Sequence, residues 1–143
     1  MDYILCADDF GISPSVNDAI LYTHRHGGIT HASIISNANY FQDAVDKLKV
    51  QNNSLQVGLH FNISFGFPLS YYKEIPLLLN KHHTFYYDFI ELLFLPFLHS
   101  RKKLQTQVEN ELVKQIDKCI DAGIDLTHID SHRHIHMIPL IYD

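Results

Sequence analysis

Adjacent aspartates and alternating histidines are the residues of this sequence best suited to hold a metal ion. Asp8 and Asp9 lie near the N-terminus, and His132, His134 and His136 lie near the C-terminus. Carboxylate and imidazole groups from separate elements can bind a divalent cation such as Zn²⁺ and leave one coordination position open to water. The chemistry that these residue types favour is therefore metal-assisted hydrolysis.

The elements that must position these residues follow a strand–helix alternation. Short apolar runs at residues 3–7, 32–36, 55–62 and 126–130 predict strands, the first of them buried on both faces. Ser13 and Pro14 predict a helix start, Gly27 and Gly28 its end, and residues 41–48 a second helix. Alternation of this kind is typical of an α/β fold with a parallel sheet and crossover helices.

A further helix is predicted from residues spaced four apart between 104 and 124. Its apolar stripe consists of Leu104, Val108, Leu112, Ile116, Ile120 and Ile124, and Gly123 marks its end. Before it, residues 64–101 have an irregular pattern with three prolines and clustered aromatic and leucine residues. We predict an insertion with short apolar helices there.

Polar residues close each of the four predicted strands. They are Asp8 and Asp9 after the first, Asn37 after the second, His60 and Asn62 at the third, and Asp130 and His132 at the fourth. The carboxyl ends of parallel strands meet at one edge of the sheet, where functional groups collect. We therefore expect two carboxylates and several imidazoles to lie close together.

The histidines near the C-terminus allow two arrangements. In an extended backbone, His128, Asp130, His132, His134 and His136 all point to one side. If a helix begins at His132, then His132 and His136 share a face. The spacing does not decide which of them are metal ligands, acid catalysts or substrate contacts.

Several of these residues also have an interpretation that involves no chemistry. An aspartate pair after a strand commonly forms a turn or caps a helix, and a histidine in an apolar strand, such as His60, is commonly a core residue. Asn37 and Asn62 can serve either loop hydrogen bonding or ligand contact. Three alternating imidazoles near the C-terminus are harder to explain by packing alone.

Composition narrows the function classes. The 143 residues are 46% hydrophobic and 19% charged with a formal net charge of −5, which is typical of one globular domain and disfavours nucleic-acid binding. Cys6 and Cys119 have no CxxC partner, and no signal peptide or membrane-length apolar run is visible. We expect a cytoplasmic protein with no membrane partner.

Three blocks of the sequence resemble the YdjC-like carbohydrate deacetylases, which include chitooligosaccharide and hopanoid-associated deacetylases. The blocks are ADDFGIS at residues 7–13 with Asn17, GLHFN at residues 58–62, and HIDSHRHIHM at residues 128–137. The resemblance implies a (β/α) barrel-like fold and a hydrolase that uses a divalent metal, Mg²⁺ or Zn²⁺. Its expected substrates are N-acetylated sugars or oligosaccharides, from which it would remove acetyl groups.

The resemblance also implies roles for individual residues. Asp9, His60 and His132 fall on the metal-ligand positions, and Asp8 falls on the position of the catalytic base. His134 and His136 are the local candidates for the general acid that protonates the leaving amine. We further expect Asp130 to orient an imidazole and Asn37 and Asn62 to bind substrate, with aromatic residues of the insertion stacking on a sugar.

The sequence departs from the family after the histidine block. Further strand–helix units and a His-Pro-Gly type motif would follow there, and nothing in the 143 residues matches them. We expect residues 1–143 to form a single partial deacetylase domain, completed by a second copy or by a complementing C-terminal polypeptide. The alternatives are a non-catalytic remnant that binds metal or carbohydrate, and another barrel-type metallohydrolase.

Overall fold

Four parallel strands form the centre of the computed structural model, which describes residues 3–50 and 54–142. The strands are β1 Cys6–Phe10, β2 His31–Ile34, β3 Gln56–Phe61 and β4 Leu126–Ser131, paired in the order β1-β2-β3-β4. The helices are α1 Pro14–Arg25, α2 Phe41–Val50, α3 Phe89–Leu98, α4 Arg101–Asp121 and α5 Pro139–Tyr142. The predicted α/β class and parallel sheet are confirmed. Residues 1–2, 51–53 and 143 of the predicted domain lie outside the described ranges.

Capping residues define the helix ends as predicted. The Ser13 hydroxyl accepts a hydrogen bond from the Val16 backbone N–H at 3.2 Å, and Pro14 is the first residue of α1. At the other predicted end, Gly123 has a φ of 83° just after α4, a left-handed conformation that glycine adopts without strain. Within the described ranges, none of the helices combines the length and the apolar character needed to cross a membrane.

The first strand lies further along the chain than predicted. Tyr3, Ile4 and Leu5 are exposed and precede β1, which begins at Cys6 because Cys6 is the residue that pairs with His31 at the start of β2. Asp8 and Asp9 therefore lie inside the strand instead of following it. The prediction of a strand buried on both faces is wrong, since Cys6 and Asp8 are exposed and among the described strands β1 pairs only with β2.

The two faces of the sheet differ in chemistry. Alternate residues of the strands, including Ala32, Ile34, Val57, Leu59 and Phe61, belong to the apolar core with buried residues of α1, α2 and α4. The residues between them point to the opposite face. That face carries Ser33, Gly58, His60, His128 and Asp130.

Two β-bulges interrupt the register of the sheet. Between β1 and β2, Asp8 and Asp9 together oppose Ser33, because Ala7 pairs with Ala32 and Phe10 pairs with Ile34. Between β3 and β4, two residues of β4 oppose Gly58, because Val57 pairs with Leu126 and Leu59 with Ile129. A bulge of this kind bends the strand and redirects its side chains.

The buried face of α4 differs from the predicted apolar stripe. Leu104 and Val108 are buried, but Ile120 is 58% exposed. A spacing of four residues exceeds the 3.6 of an α-helix turn, so the stripe drifts by about 40° at each step. Polar residues of α4 occupy the buried positions that lie outside this apolar stripe.

Glu111 and Gln107 on α4 fix the backbone of the segment that follows β3. The Glu111 carboxylate is fully buried and accepts hydrogen bonds from the backbone N–H groups of Leu69 at 3.0 Å and Ser70 at 2.8 Å. The Gln107 side-chain oxygen accepts from the Leu77 N–H at 2.8 Å. These bonds supply partners to loop backbone groups that would otherwise be buried without one.

We predict that Glu111→Ala lowers the free energy of unfolding by about 2–4 kcal/mol, because two buried N–H groups lose a charged acceptor. Urea unfolding followed by circular dichroism measures the change. The control is Glu109→Ala, which removes an exposed carboxylate from the same helix and should shift stability by about 0.5 kcal/mol or less. Equal effects of the two substitutions would contradict the prediction.

Candidate metal centre

The bulge in β1 directs two consecutive aspartates toward the same group of side chains. In a regular strand, neighbouring residues point to opposite faces. Here Asp9 has a φ of 65°, in the left-handed region that aspartate tolerates better than most residues. Oxygen atoms of Asp8 and of Asp9 each come within 4.8 Å of a ring nitrogen of His60.

Asn17 on α1 holds the backbone that follows Asp9. Its side-chain oxygen accepts a hydrogen bond from the Gly11 N–H at 2.7 Å, and its amide donates to the Tyr40 carbonyl at 3.3 Å and to Asp43 at 2.8 Å. Asn17 is completely buried. Sequence reasoning gave this residue no role, although the block at residues 7–13 was quoted together with Asn17.

His60 lies between two carboxylates. Its Nδ1–H donates to Asp130 Oδ1 at 2.7 Å, and its Nε2 lies 3.4 Å from Asp9 Oδ1. The other oxygen of Asp130 accepts a hydrogen bond from the Ser33 hydroxyl at 2.7 Å. Asp130 thus holds the His60 ring so that Nε2 faces Asp9, an arrangement that is common behind metal-binding histidines. That Asp130 orients a metal ligand stays a prediction.

His132 completes the group. Its Nδ1 lies 2.9 Å from Asp9 Oδ1, and its ring packs edge-on against Phe65 with the ring centres 5.0 Å apart. Ligand atoms of Asp9, His60 and His132 all lie within 4.8 Å of one another. The structure therefore brings together the three residues predicted as metal ligands.

Asp8 lies beside this group. Ligand atoms of Asp8, His60 and Asp130 form a second set within 4.8 Å of one another. Three carboxylates therefore surround one buried imidazole, and their combined negative charge favours a divalent cation at this position. One carboxylate with two imidazoles is a donor set that suits Zn²⁺, so the residues present fit a divalent metal.

Neither predicted arrangement of the C-terminal histidines is observed. β4 ends at Ser131, and a turn at His132–Met137 follows in which Arg133 and His134 have φ values of 56° and 54°. These left-handed residues break both the extended and the helical pattern. The turn directs His132 toward Asp9 and leaves His134 and His136 outside that group.

His134 and His136 are not part of the group formed by Asp9, His60 and His132. His134 is exposed, and the Nδ1 atom of His136 lies 2.6 Å from the Ser131 hydroxyl. Their rings meet edge-on with centres 6.1 Å apart. A role for either as the general acid stays a prediction.

Asn37 and Asn62 form the base of the loop that follows β3. The Asn62 amide donates to Asn37 Oδ1 at 3.0 Å and to the Phe65 carbonyl at 2.9 Å, and Asn62 Oδ1 accepts from the Ser64 N–H at 3.0 Å. Asn37 donates to the Phe67 carbonyl at 3.1 Å. Asn62 is completely buried, so these contacts shape the loop, and the predicted binding of substrate by both residues remains untested.

Gln115 on α4 fixes the backbone of Asn62 from the other side. Its side-chain oxygen accepts from the Asn62 N–H at 3.1 Å, and its amide donates to the Asn62 carbonyl at 2.7 Å and to Glu111 at 2.9 Å. Sequence reasoning missed Gln115 and Glu111. A polar residue on a helix ordinarily indicates a solvated face, so the sequence held no signal for them.

The ionisation of Asp130 follows from these contacts. Burial raises the pKa of this carboxyl, but hydrogen bonds from His60 and Ser33, with the nearby rings of His60 and His128, outweigh burial and leave the pKa below its ordinary value. The charged form of Asp130 is therefore the one that stabilises the folded chain above pH 4.

Comparison with known proteins gives a consistent match. The sequence profile of the family described as YdjC-like protein matches residues 3–143. The carbohydrate deacetylase of Brevibacillus brevis is 35% identical over 99% of this chain and 52% of the relative. The carbohydrate deacetylase of Danio rerio is 33% identical over 95% of this chain and 42% of the relative.

A solved structure shares the fold. It is a crystal structure from Enterococcus faecalis V583 described as a "putative cellobiose-phosphate cleavage protein", with a TM-score of 0.79 and 25% identity. The match covers 93% of this chain and 49% of that one. The chain spans about half the length of the relatives it matches.

We predict that Asp130→Asn lowers the free energy of unfolding by about 1–3 kcal/mol at pH 7, because two hydrogen bonds lose their charged acceptor. Since the folded pKa of Asp130 lies below the unfolded value, this contribution is present above pH 4 and is lost as the pH falls through the folded pKa. Urea unfolding in metal-free buffer measures the difference in free energy of unfolding between the variant and the unsubstituted chain. This difference should shrink as the pH falls from 7 to 3. The control is exposed Asp125→Asn, and a difference that stays constant with pH would contradict the prediction.

Proposed function

The chain belongs to the YdjC-like family, and on that premise we propose that it carries the metal centre of an enzyme that hydrolyses the acetamido group of N-acetylated sugars. The observation that supports the proposal most directly is the grouping of Asp9, His60 and His132, with Asp130 behind His60. Relatives named as carbohydrate deacetylases align over nearly the whole chain. Acetate and a free sugar amine would be the products.

Asp9, His60 and His132 would hold the divalent cation. When bound, the cation would polarise the acetyl carbonyl and make water more acidic. The two imidazoles favour Zn²⁺ over Mg²⁺, which prefers oxygen ligands alone. Asp130 keeps the His60 Nδ1 occupied at 2.7 Å, so Nε2 is the nitrogen directed to the ligand group.

Asp8 would accept the proton of the attacking water. The ligand set uses neither Asp8 nor Asp130. Asp130 accepts hydrogen bonds from His60 and Ser33, whereas Asp8 lies within 4.8 Å of His60 and Asp130 in ligand-atom distance. Its exposed position in β1 leaves it accessible to a substrate. Water then adds to the carbonyl carbon, and the carbon–nitrogen bond breaks as a proton reaches the leaving amine.

The remaining roles belong to the turn after β4 and the loop after β3. His134 or His136 would donate the proton to the amine, since both lie in the turn that begins at His132. Phe67 is 65% exposed and its backbone carbonyl accepts a hydrogen bond from Asn37, so its backbone is held in place and its exposed ring can stack on a sugar. Asn37 and Asn62 would then act on substrate by shaping this loop.

A second copy of the chain or a complementing polypeptide is the proposed further partner. Such a partner would supply the part of the domain that turnover needs beyond these residues.

We predict that the chain releases acetate from an N-acetylated chitooligosaccharide when a divalent cation is present and not after chelation. Asp8→Asn should lower the rate by about 100- to 10,000-fold, as expected when a general base is removed. His132→Gln should abolish release that depends on added cation. His82→Gln, at an exposed histidine of the insertion, is the matched control and should leave the rate unchanged.

Three outcomes would contradict this proposal. Asp8→Asn or His132→Gln variants with an unchanged rate would remove the assigned roles. Binding of cation or oligosaccharide without acetate release would favour the non-catalytic alternative. Hydrolysis of other amides or of phosphoesters, with none of acetylated sugars, would favour another metallohydrolase of the same fold.

The donor set also predicts which cation supports activity. After chelation and dialysis, Zn²⁺ or Co²⁺ should restore acetate release at micromolar concentration, whereas Mg²⁺ should require at least about 100-fold more because imidazole binds it weakly. Acetate assays over a series of cation concentrations make the comparison. Full restoration by Mg²⁺ at the lower concentration would overturn the preference.

A further inference from the structure

A second group of ligand-type side chains lies next to His60, and the proposed function leaves it unexplained. It consists of Cys6 on β1, Ser33 on β2 and His128 on β4, together with Asp130. Cys6 Sγ lies 3.2 Å from Ser33 Oγ and 3.5 Å from His128 Nε2. Ser33 Oγ also lies 3.0 Å from His128 Nε2 and donates to Asp130 Oδ2 at 2.7 Å.

The backbone makes room for this group. The bulge in β4 sets His128 opposite Gly58, and a Cβ atom added to Gly58 would lie 2.4 Å from the His128 ring. Any side chain at position 58 would therefore displace the imidazole. On the other side, the β1 bulge leaves Ser33 as the single residue opposite Asp8 and Asp9, so both register changes border the same four side chains.

We propose that Cys6, His128, Asp130 and Ser33 form a second cation site, specific for a thiophilic divalent ion such as Zn²⁺ or Cd²⁺. A thiolate, an imidazole and a carboxylate from three different strands are a donor set that selects such ions over Mg²⁺. Ser33 supplies a neutral oxygen as the fourth donor. The site differs from the Asp9, His60 and His132 group, and Asp130 is the residue between the two.

The distances suit a tetrahedral ion with little movement. Metal–ligand bonds of about 2.0–2.3 Å place tetrahedral donors about 3.3–3.8 Å apart. Four donor separations in this group range from 2.7 to 3.5 Å. Small outward rotations of the side chains would therefore admit the ion, and no change of the strand register is needed.

The carboxylates of Asp130 and Asp8 near Cys6 favour a cation. Burial, and then these carboxylates, raise the pKa of the Cys6 thiol against a lowering hydrogen bond from Ser33, so an ion that binds the sulfur must displace its proton. A divalent ion neutralises those carboxylates and replaces the thiol proton, which passes to the buffer as the metal–sulfur bond forms. The sulfur keeps its oxidation state.

Cobalt titration of the full chain tests the site, because a thiolate bound to Co²⁺ gives a near-ultraviolet charge-transfer band that nitrogen and oxygen ligands do not give. We expect the band in the unsubstituted chain, with two Co²⁺ bound at saturation. Cys6→Ser should lose the band and retain one Co²⁺. Asp9→Asn, at the first site, should keep the band and lose the other Co²⁺, which separates this proposal from the proposed function.

Two further variants complete the test. Cys119→Ser is the matched cysteine control and should keep the band, since burial raises the pKa of the Cys119 thiol to about 11 and none of the His, Cys, Asp and Glu clusters among the described residues includes it. Gly58→Ala should weaken the binding that gives the band at least tenfold by displacing His128. Circular dichroism confirms folding of each variant, and alkylation of Cys6 by iodoacetamide, located by mass spectrometry, should slow when Zn²⁺ is added.

The proposal is overturned if saturating Co²⁺ gives no thiolate band, or if the band persists in Cys6→Ser. Loss of the band in Cys119→Ser would show that Cys119 supplies the thiolate, and that result would also overturn the proposal. Alkylation of Cys6 at the same rate with and without Zn²⁺ counts equally against the site.

Discussion

The site depends on an exception to the alternation of side chains in β-strands. A regular β1 would direct Asp8 and Asp9 to opposite faces, so only one could reach the histidines. The bulge opposite Ser33 and the left-handed backbone of Asp9 remove this restriction. Asn17 holds the chain just beyond, through the Gly11 N–H. The neighbouring carboxylates and the contacts of Asp9 with His60 and His132 follow from that local change of register.

The order of elements and the convergence of the strand ends were predictable from the sequence. Ser13 and Pro14 mark the start of α1 by hydrogen-bonding groups that act within a few residues. Apolar runs between helical stripes predict a parallel sheet, and a parallel sheet brings its carboxyl ends together. For this reason Asp9, His60 and His132 could be expected near one another although they are far apart in the chain.

Features that depend on pairing or on distant partners were not predictable. In each bulge, two residues of one strand oppose a single residue of the next, which only the strand pairing determines. The need for glycine at position 58 is clear only once the His128 ring is seen to lie against it. Glu111 and Gln115 resemble solvent-facing helix residues until the loop after β3 covers them. Arg133 and His134 have a left-handed backbone although neither is glycine, the residue type that usually indicates this conformation in a sequence. In each case the conformation is decided by tertiary contacts and not by local preference.

The hydrogen bond between Asp9 and His132 joins residues 123 positions apart. Closing a loop of that size costs about 4 kcal/mol of chain entropy, far more than this one contact returns. The contact is therefore stable only with the pairing of the sheet, which brings β1 and β4 together. A molecule bound to the ligand group thus stabilises the association of β1 with β4 across the whole sheet and not a local turn.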